Sequence, residues 1–338
     1  MKKLICLVLA TLMVIPFMFT ACGSKAEALS FGLGVYTTVS SASDATEDVN
    51  GAGKATITVA AVTVDADGKI VDCILDTADF SVEYTVDGKA VANESFQTKR
   101  EQGDNYGMKA WGTDFNGDGT IEEWYKQADA FAKLVSDKTL DEVKALVVNG
   151  DKGTEEVINA GCTITVNEFV LAIEKAYNNA KTSEANVACD LKLGVYTAQT
   201  PTDANEDKNG QNKTETTFFA SAVDADGKIV AVATECVQVT FTFDANGVST
   251  FDTTKAVSGK REQGDNYGMK NWGTDLNGDG TIKEWYEQAD AFEALCIGKT
   301  AAEVSSLMAE DNYGTADVKA AGCTILVNGF VKAAEKTK

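Results

Sequence analysis

The residues whose types and spacing could do chemistry fall into three segments, and each occurs twice in the chain. Ala160-Gly161-Cys162-Thr163-Ile164-Thr165 precedes an apolar stretch, and Ala321-Gly322-Cys323-Thr324 does so again. A glycine lets backbone approach closely, and hydroxyls sit where the free amides of a helix start point, which suits a phosphate group. The same residues suit a plain helix cap, since Thr165 with Glu168 three residues on is a capping box. The second copy has Leu326 and Gly329 at those positions and keeps only the Gly-Cys-Thr part. The next segment, Lys99-Arg-Glu101-Gln-Gly103-Asp-Asn-Tyr106-Gly107-Met108-Lys109, recurs unchanged as Lys260 to Lys270, with Glu262 and Tyr267 as the equivalents of Glu101 and Tyr106. Its glycines suit a strained turn that presents Tyr106 and Tyr267 to a flat ligand, or that packs Tyr and Met into a core. The third is Asp114-Phe115-Asn116-Gly117-Asp118-Gly119-Thr120-Ile121, with Asp275, Asn277, Asp279 and Thr281 as its twins. Acids and an amide at alternate positions converge on one hard cation, and the sixth-position glycine makes the sharp bend, as in a calcium loop. Tyr125 and Tyr286 stand where the bidentate acid belongs, so Glu123 and Glu284 are the nearest substitutes. An ion-free Asn-Gly-Asp-Gly turn is the alternative.

Composition removes other chemistry. The chain contains no histidine, which excludes Ser-His-Asp and Cys-His nucleophilic machinery and His-containing zinc sites. No Cys-x-x-Cys occurs, so iron–sulfur and zinc-ribbon spacing is missing. With 30 Lys+Arg against 51 Asp+Glu, the formal charge of −21 repels phosphate backbones, and nucleic acid is not expected as a partner. No residue pattern assigns a catalytic residue.

The N-terminus reads as an address. Lys2 and Lys3 precede an apolar run from Leu4 to Phe19, too short for a span and suited to a secretory signal. Cys22 follows small residues, as in the lipobox of bacterial lipoproteins, where that cysteine is acylated. Cleavage before it leaves 28 Lys+Arg against 51 acids, a formal −23. The expected localisation is the cell membrane, lipid-anchored and facing outside the cytoplasm. Of the other cysteines, Cys73, Cys162, Cys189, Cys236, Cys296 and Cys323 have no deducible pairing, and buried thiols are expected.

These segments need elements to position them. The chain past the signal is one unit written twice at an offset of about 160 residues, too long a period for a solenoid. The expected organisation is a signal peptide over 1–21, lipidated Cys and spacer over 22–45, one repeat over 46–180, a linker over 181–191 and a second repeat over 192–338. Alternation from Thr56 to Val64, the Asp65-Ala66-Asp67-Gly68 turn and the run from Ile70 predict a β-hairpin, with a further strand at Phe80–Val86 and at Val239–Phe243. Trp124, Ala128, Phe131 and Val135 repeat at helical spacing, as do Trp285, Ala289, Phe292 and Cys296. Shorter helices are expected over 140–148 and 166–177. Each repeat is therefore α+β, an antiparallel sheet packed with about three helices.

That order of sheet, Glu-containing glycine loop, helix, and Gly-small-Thr before a terminal helix resembles the FMN-binding domain of bacterial ion-pumping redox complexes and extracellular electron-transfer lipoproteins. The family motif is Ser-Gly-Ala-Thr with an Asp three residues before the Ser. Gly161 and Gly322 match its Gly, and Thr163 and Thr324 match its Thr; Ala160 and Ala321 replace the Ser, and the acid moves one residue upstream to Glu156 and Asp317. The resemblance, with the helix-start and loop readings above, points to a site at Gly161, Thr163, Thr165, Glu101 and Tyr106, and at Gly322, Thr324, Glu262 and Tyr267. It implies FMN, which the replacement of the Ser by Ala160 and Ala321 and the displaced acid leave held non-covalently, with a surface redox protein as partner. The expected function is an exported, membrane-anchored lipoprotein that binds FMN and takes part in extracytoplasmic electron transfer. The competing reading is a calcium-stabilised ligand-binding or adhesion lipoprotein with no redox centre.

Overall fold

The computed structural model describes residues 27–93, 95–112, 114, 117, 119–148, 150–275, 278 and 280–337. The signal peptide, Cys22, Asn116, Asp118, Asn277 and Asp279 lie outside the described residues. The fold is α+β, with antiparallel sheets packed against helices.

In the first repeat, β1 (Ser30–Ser43), β2 (Gly51–Val64) and β3 (Ile70–Tyr84) form a meander. Six helices follow: α1 (Lys99–Gln102), α2 (Met108–Trp111), α3 (Trp124–Val135), α4 (Leu140–Lys144), α5 (Glu155–Asn159) and α6 (Asn167–Asn179). The second repeat has β4 (Asp190–Thr202), β5 (Gly210–Val223) and β6 (Ile229–Phe243). Its helices are α7 (Lys260–Gln263), α8 (Trp285–Cys296), α9 (Ala301–Val304), α10 (Ala316–Ala320) and α11 (Asn328–Glu335).

Several boundaries differ from the sequence expectation. The segment read as spacer, 22–45, contains β1, with Phe31, Leu33 and Val35 buried. The linker 181–191 is also structural: Lys181–Thr182 pairs with β1, Ala185 is buried, and β4 begins at Asp190. The separate strand at Phe80–Val86 is the far end of a fifteen-residue β3. The helix over 140–148 stops at Lys144, because Val147–Val148 pairs with Lys152–Gly153.

The length of these apolar strands has a tertiary cause. Ala55, Ile57, Val59 and Ala61 of β2 face the other repeat's sheet, packing with Phe218, Ala220 and Ala222 of β5. The alternate residues Ala60, Val62 and Val64 face α3 and α6. Both faces are covered, so the strand reads as a nearly continuous apolar run. The molecule is thus four layers, helices–sheet–sheet–helices, and the repeats share the middle core. Contacts across this interface come in symmetric pairs. Ala45 N donates to Gly247 O and Ala204 N to Gly88 O, both at 2.8 Å. Tyr84 stacks on Phe243 at 4.3 Å.

Candidate functional site

The unchanged loop is positioned by what each of its residues touches. Arg100 donates to the Leu75 carbonyl on the edge of β3 and to Asp129; Arg261 does the same to Thr234 O and Asp290. Asp104 and Asp265 accept from the Tyr125 and Tyr286 hydroxyls. Gly107 and Gly268 hold φ of 73° and 74°, a left-handed bend that a side chain would strain. The loop then delivers Met108 and Met269, whose amides donate to the buried carboxylates of Glu123 and Glu284 at 2.9 and 2.8 Å. Those two acids are therefore engaged at a helix start. Tyr106 and Tyr267 meet exposed Trp111 and Trp272 edge-on at 5.8 and 5.6 Å.

Glu101 and Glu262 point elsewhere. Glu262 accepts from Lys175 of the first repeat at 2.8 Å, and Glu101 pairs with Lys336 of the second at 2.9 Å. Both acids tie the repeats together, and neither lines the second-repeat cleft described below. The loop glutamate of the resemblance is spent on the interface.

At the second segment, Gly161 and Gly322 take φ of 98° and 102°, so only glycine sits there without strain. Cys162 and Cys323 are buried, and burial pushes both thiols up to about 12, which keeps them protonated and inert. Thr163 donates through N and Oγ1 to Gln127 Oε1, at 2.8 and 3.0 Å. Thr324 donates likewise to Gln288 Oε1, at 2.8 and 2.9 Å. Each glutamine amide donates onward to the Met108 or Met269 sulfur, joining turn and loop through one buried side chain. Spacing alone did not single out Gln127 or Gln288, but a signal existed: a polar residue on the apolar face of both long helices. The capping box does not form. Val166 is the N-cap of α6 without a side-chain bond, Thr165 is exposed and bridges to Lys152, and Glu168 turns inward. Glu156 lies at the surface against Lys138.

In the second repeat these parts converge on a cleft of about 580 Å³. Tyr267, Met269, Thr324 and Trp272 line it, together with Lys260 of the recurring loop and with Glu215 and Lys213, neither of which the sequence had marked. Lys260 lies 2.7 Å from Glu215 and 5.5 Å from the centre of the Tyr267 ring; Lys213 reaches the same carboxylate at 3.3 Å. Burial opposes the charge on Glu215, yet the two ammoniums hold its carboxyl below the usual range. In the first repeat Lys99 faces Asp79 instead, at 3.5 Å, and the Glu168 carboxylate accepts from Thr38 and Thr58 at 2.8 and 3.1 Å.

The segments that suggested a cation loop do turn at Asp114 and Asp275. Asp114 accepts the Gly117 and Gly119 amides at 2.7 and 2.9 Å, and Asp275 those of Gly278 and Gly280 at the same distances. Thr120 and Thr281 are exposed on these loops. Among the described residues no group of three acids or cysteines gathers to hold a metal. The six cysteines from Cys73 onward are free, and all but Cys189 are buried. No protein-family model, curated protein or solved structure matches the chain, so the site is defined by its own geometry.

Proposed function

We propose that this chain is an exported lipoprotein, anchored through acylated Cys22, whose second repeat holds FMN non-covalently and serves extracytoplasmic electron transfer. One observation carries the reading. Thr324, far along the chain from Tyr267 and Met269, lines with them a single cleft of a volume that suits a small-molecule cofactor. The fit is chemical as well as spatial: an aromatic pair flanks the opening, and two lysines share one carboxylate inside. A bound flavin would supply the redox chemistry, and the protein its pocket and field. Tyr267 and Trp272 offer faces for a flat ring, and Met269 and buried Trp285 exclude water below it. Lys260, Lys213 and the first turn of α11 favour a phosphate. The net charge disfavours an anionic reduced flavin and so lowers its potential.

Titrating the mature chain with FMN and following fluorescence tests the cleft: saturable quenching is expected, and none at high micromolar protein overturns the reading in favour of a redox-silent binding lipoprotein. Cys22→Ser tests the anchor, since a cleaved variant still retained on the membrane contradicts it. Calcium at the two bends is part of the same proposal. Millimolar calcium should raise the melting temperature by mass action, and Asp118→Ala should reduce the rise.

A further inference from the structure

At the place of this cleft the repeats differ in the second residue of the last helix, Glu168 on α6 and Gly329 on α11. In the first repeat the Glu168 carboxylate bridges the hydroxyls of Thr38 on β1 and Thr58 on β2. The strand registers place Thr38 and Thr58 at the positions of Ala198 and Thr217, and both of those line the second-repeat cleft. The Glu168 carboxylate therefore lies in the space that the other repeat leaves as a cleft. At Gly329 that space is narrow: a Cβ there would lie 2.6 Å from Thr217 Oγ1.

Charge changes with shape. Lys99 in the first repeat faces Asp79, and Glu168 adds a second negative charge at a helix N-terminus, where anions are favoured. In the second repeat one carboxylate, Glu215, serves both Lys260 and Lys213. The first turn of α11 brings no acid. The first repeat carries covalently one negative charge that the second lacks.

We infer that Glu168 is an internal occupant. Its carboxylate holds, in the first repeat, the place that the anionic group of a bound small molecule takes in the second, against Thr217 and the start of α11. The chain then binds one ligand rather than two, and recognises it by a phosphate or carboxylate end. The inference rests on the cleft reading above and adds which repeat works and which end of the ligand is held.

The test uses the mature, calcium-loaded chain as wild type, Glu168→Ala and Thr217→Val. Each is titrated with FMN by flavin fluorescence and with inorganic phosphate by amide shifts in a ¹⁵N spectrum. Alanine keeps the first turn of α6 helical while removing the carboxylate. Wild type should saturate at one FMN per chain, with the Gly329 amide moving in phosphate. Glu168→Ala should saturate at two, with the amide of residue 168 moving as well. Thr217→Val, which does not depend on the first repeat, should weaken phosphate binding about ten-fold by loss of one charge-assisted hydrogen bond. One FMN in both wild type and Glu168→Ala, or two in wild type, overturns the inference and leaves the flavin reading standing. If FMN fails while phosphate moves Gly329 in wild type and residue 168 in Glu168→Ala, the flavin reading falls and the inference stands. If neither probe responds, both are wrong.

Discussion

The two repeats carry the same eleven-residue loop, the same Gln–Thr clamp and the same Gly-Cys-Thr turn, and they part company inside the cleft. Where the identical residues go explains their identity: Arg100 and Arg261 hold a strand edge, Glu101 and Glu262 cross to the other repeat, and the methionine amides lie on buried acids. Where the repeats differ inside the frame, the changes compensate. Thr98 caps α1 above Asp76, whereas Gly259 begins α7 above the longer Glu235, and a Cβ at 259 would lie 2.3 Å from that side chain. Asp79 on β3 faces Lys99, whereas Glu215, one strand over, faces Lys260. The exchange of Glu168 for Gly329 goes with that of Thr38 for Ala198, so the carboxylate and one of its hydroxyl donors leave together, and Ala198 and Gly329 both line the cleft. Identity between repeats marks the scaffold here, and the divergence at Glu168 and Gly329 lies at the proposed binding surface.

The largest effect should come from the shared middle core, where the repeats act as one. Phe218 is fully buried between the sheets, and Phe218→Ala should cost about 3–5 kcal/mol. Calorimetry should show both repeats melting in one transition, at lower temperature; a separate unshifted transition for the first repeat would show that the core is not shared energetically.

The buried acids sharpen the comparison through pH. Burial pushes Asp76 up to about 6 and Glu235 up to about 7. A carboxyl raised by folding binds its proton more tightly in the folded state. Its contribution is therefore fully present below the unfolded value, near 4 to 4.5, and is lost as pH climbs through 6 to 7. Glu235→Gln should flatten wild type's fall in stability over that window by up to ~3 kcal/mol, and Asp76→Asn should flatten it at slightly lower pH. Denaturant titrations at pH 4.5 and 7.5 check the sign; a wild type that gains stability from these groups on alkalinisation contradicts it.

A smaller effect is expected at the clamp. Gln288→Leu leaves the Thr324 amide and hydroxyl without their acceptor, which should cost about 1–3 kcal/mol and reduce FMN affinity. Gln127→Leu should cost a similar amount and leave FMN affinity unchanged, because Glu168 fills the first-repeat cleft. Equal losses of affinity from both would erase the distinction between repeats.

The smallest belongs to the interface ion pairs. Glu101→Gln and Glu262→Gln each break one partly exposed pair, Lys336–Glu101 or Lys175–Glu262, and each should cost below about 1 kcal/mol, less in high salt. A several-fold change in FMN affinity from Glu262→Gln alone would return that residue to the binding site.

Much of this was legible in local pattern. The duplication, the hairpin at Asp65–Gly68, the apolar spacing of Trp124 to Val135 and the positive-φ glycines follow from chemistry within a few residues of each position. Sequence also marked Thr324 and Tyr267, which do meet in one cleft. It assigned Glu101 and Glu262 to a cofactor and Thr165 with Glu168 to a cap, because a carboxylate's partners lie wherever folding brings them. Lys336 is 235 positions from Glu101, and Thr38 is 130 from Glu168. Periodicity shows that a strand is apolar on both faces, but not that the second face belongs to the other repeat. Only the tertiary structure decided that pairing, and with it which acid bridges the repeats, which fills a cleft, and which cleft is left open.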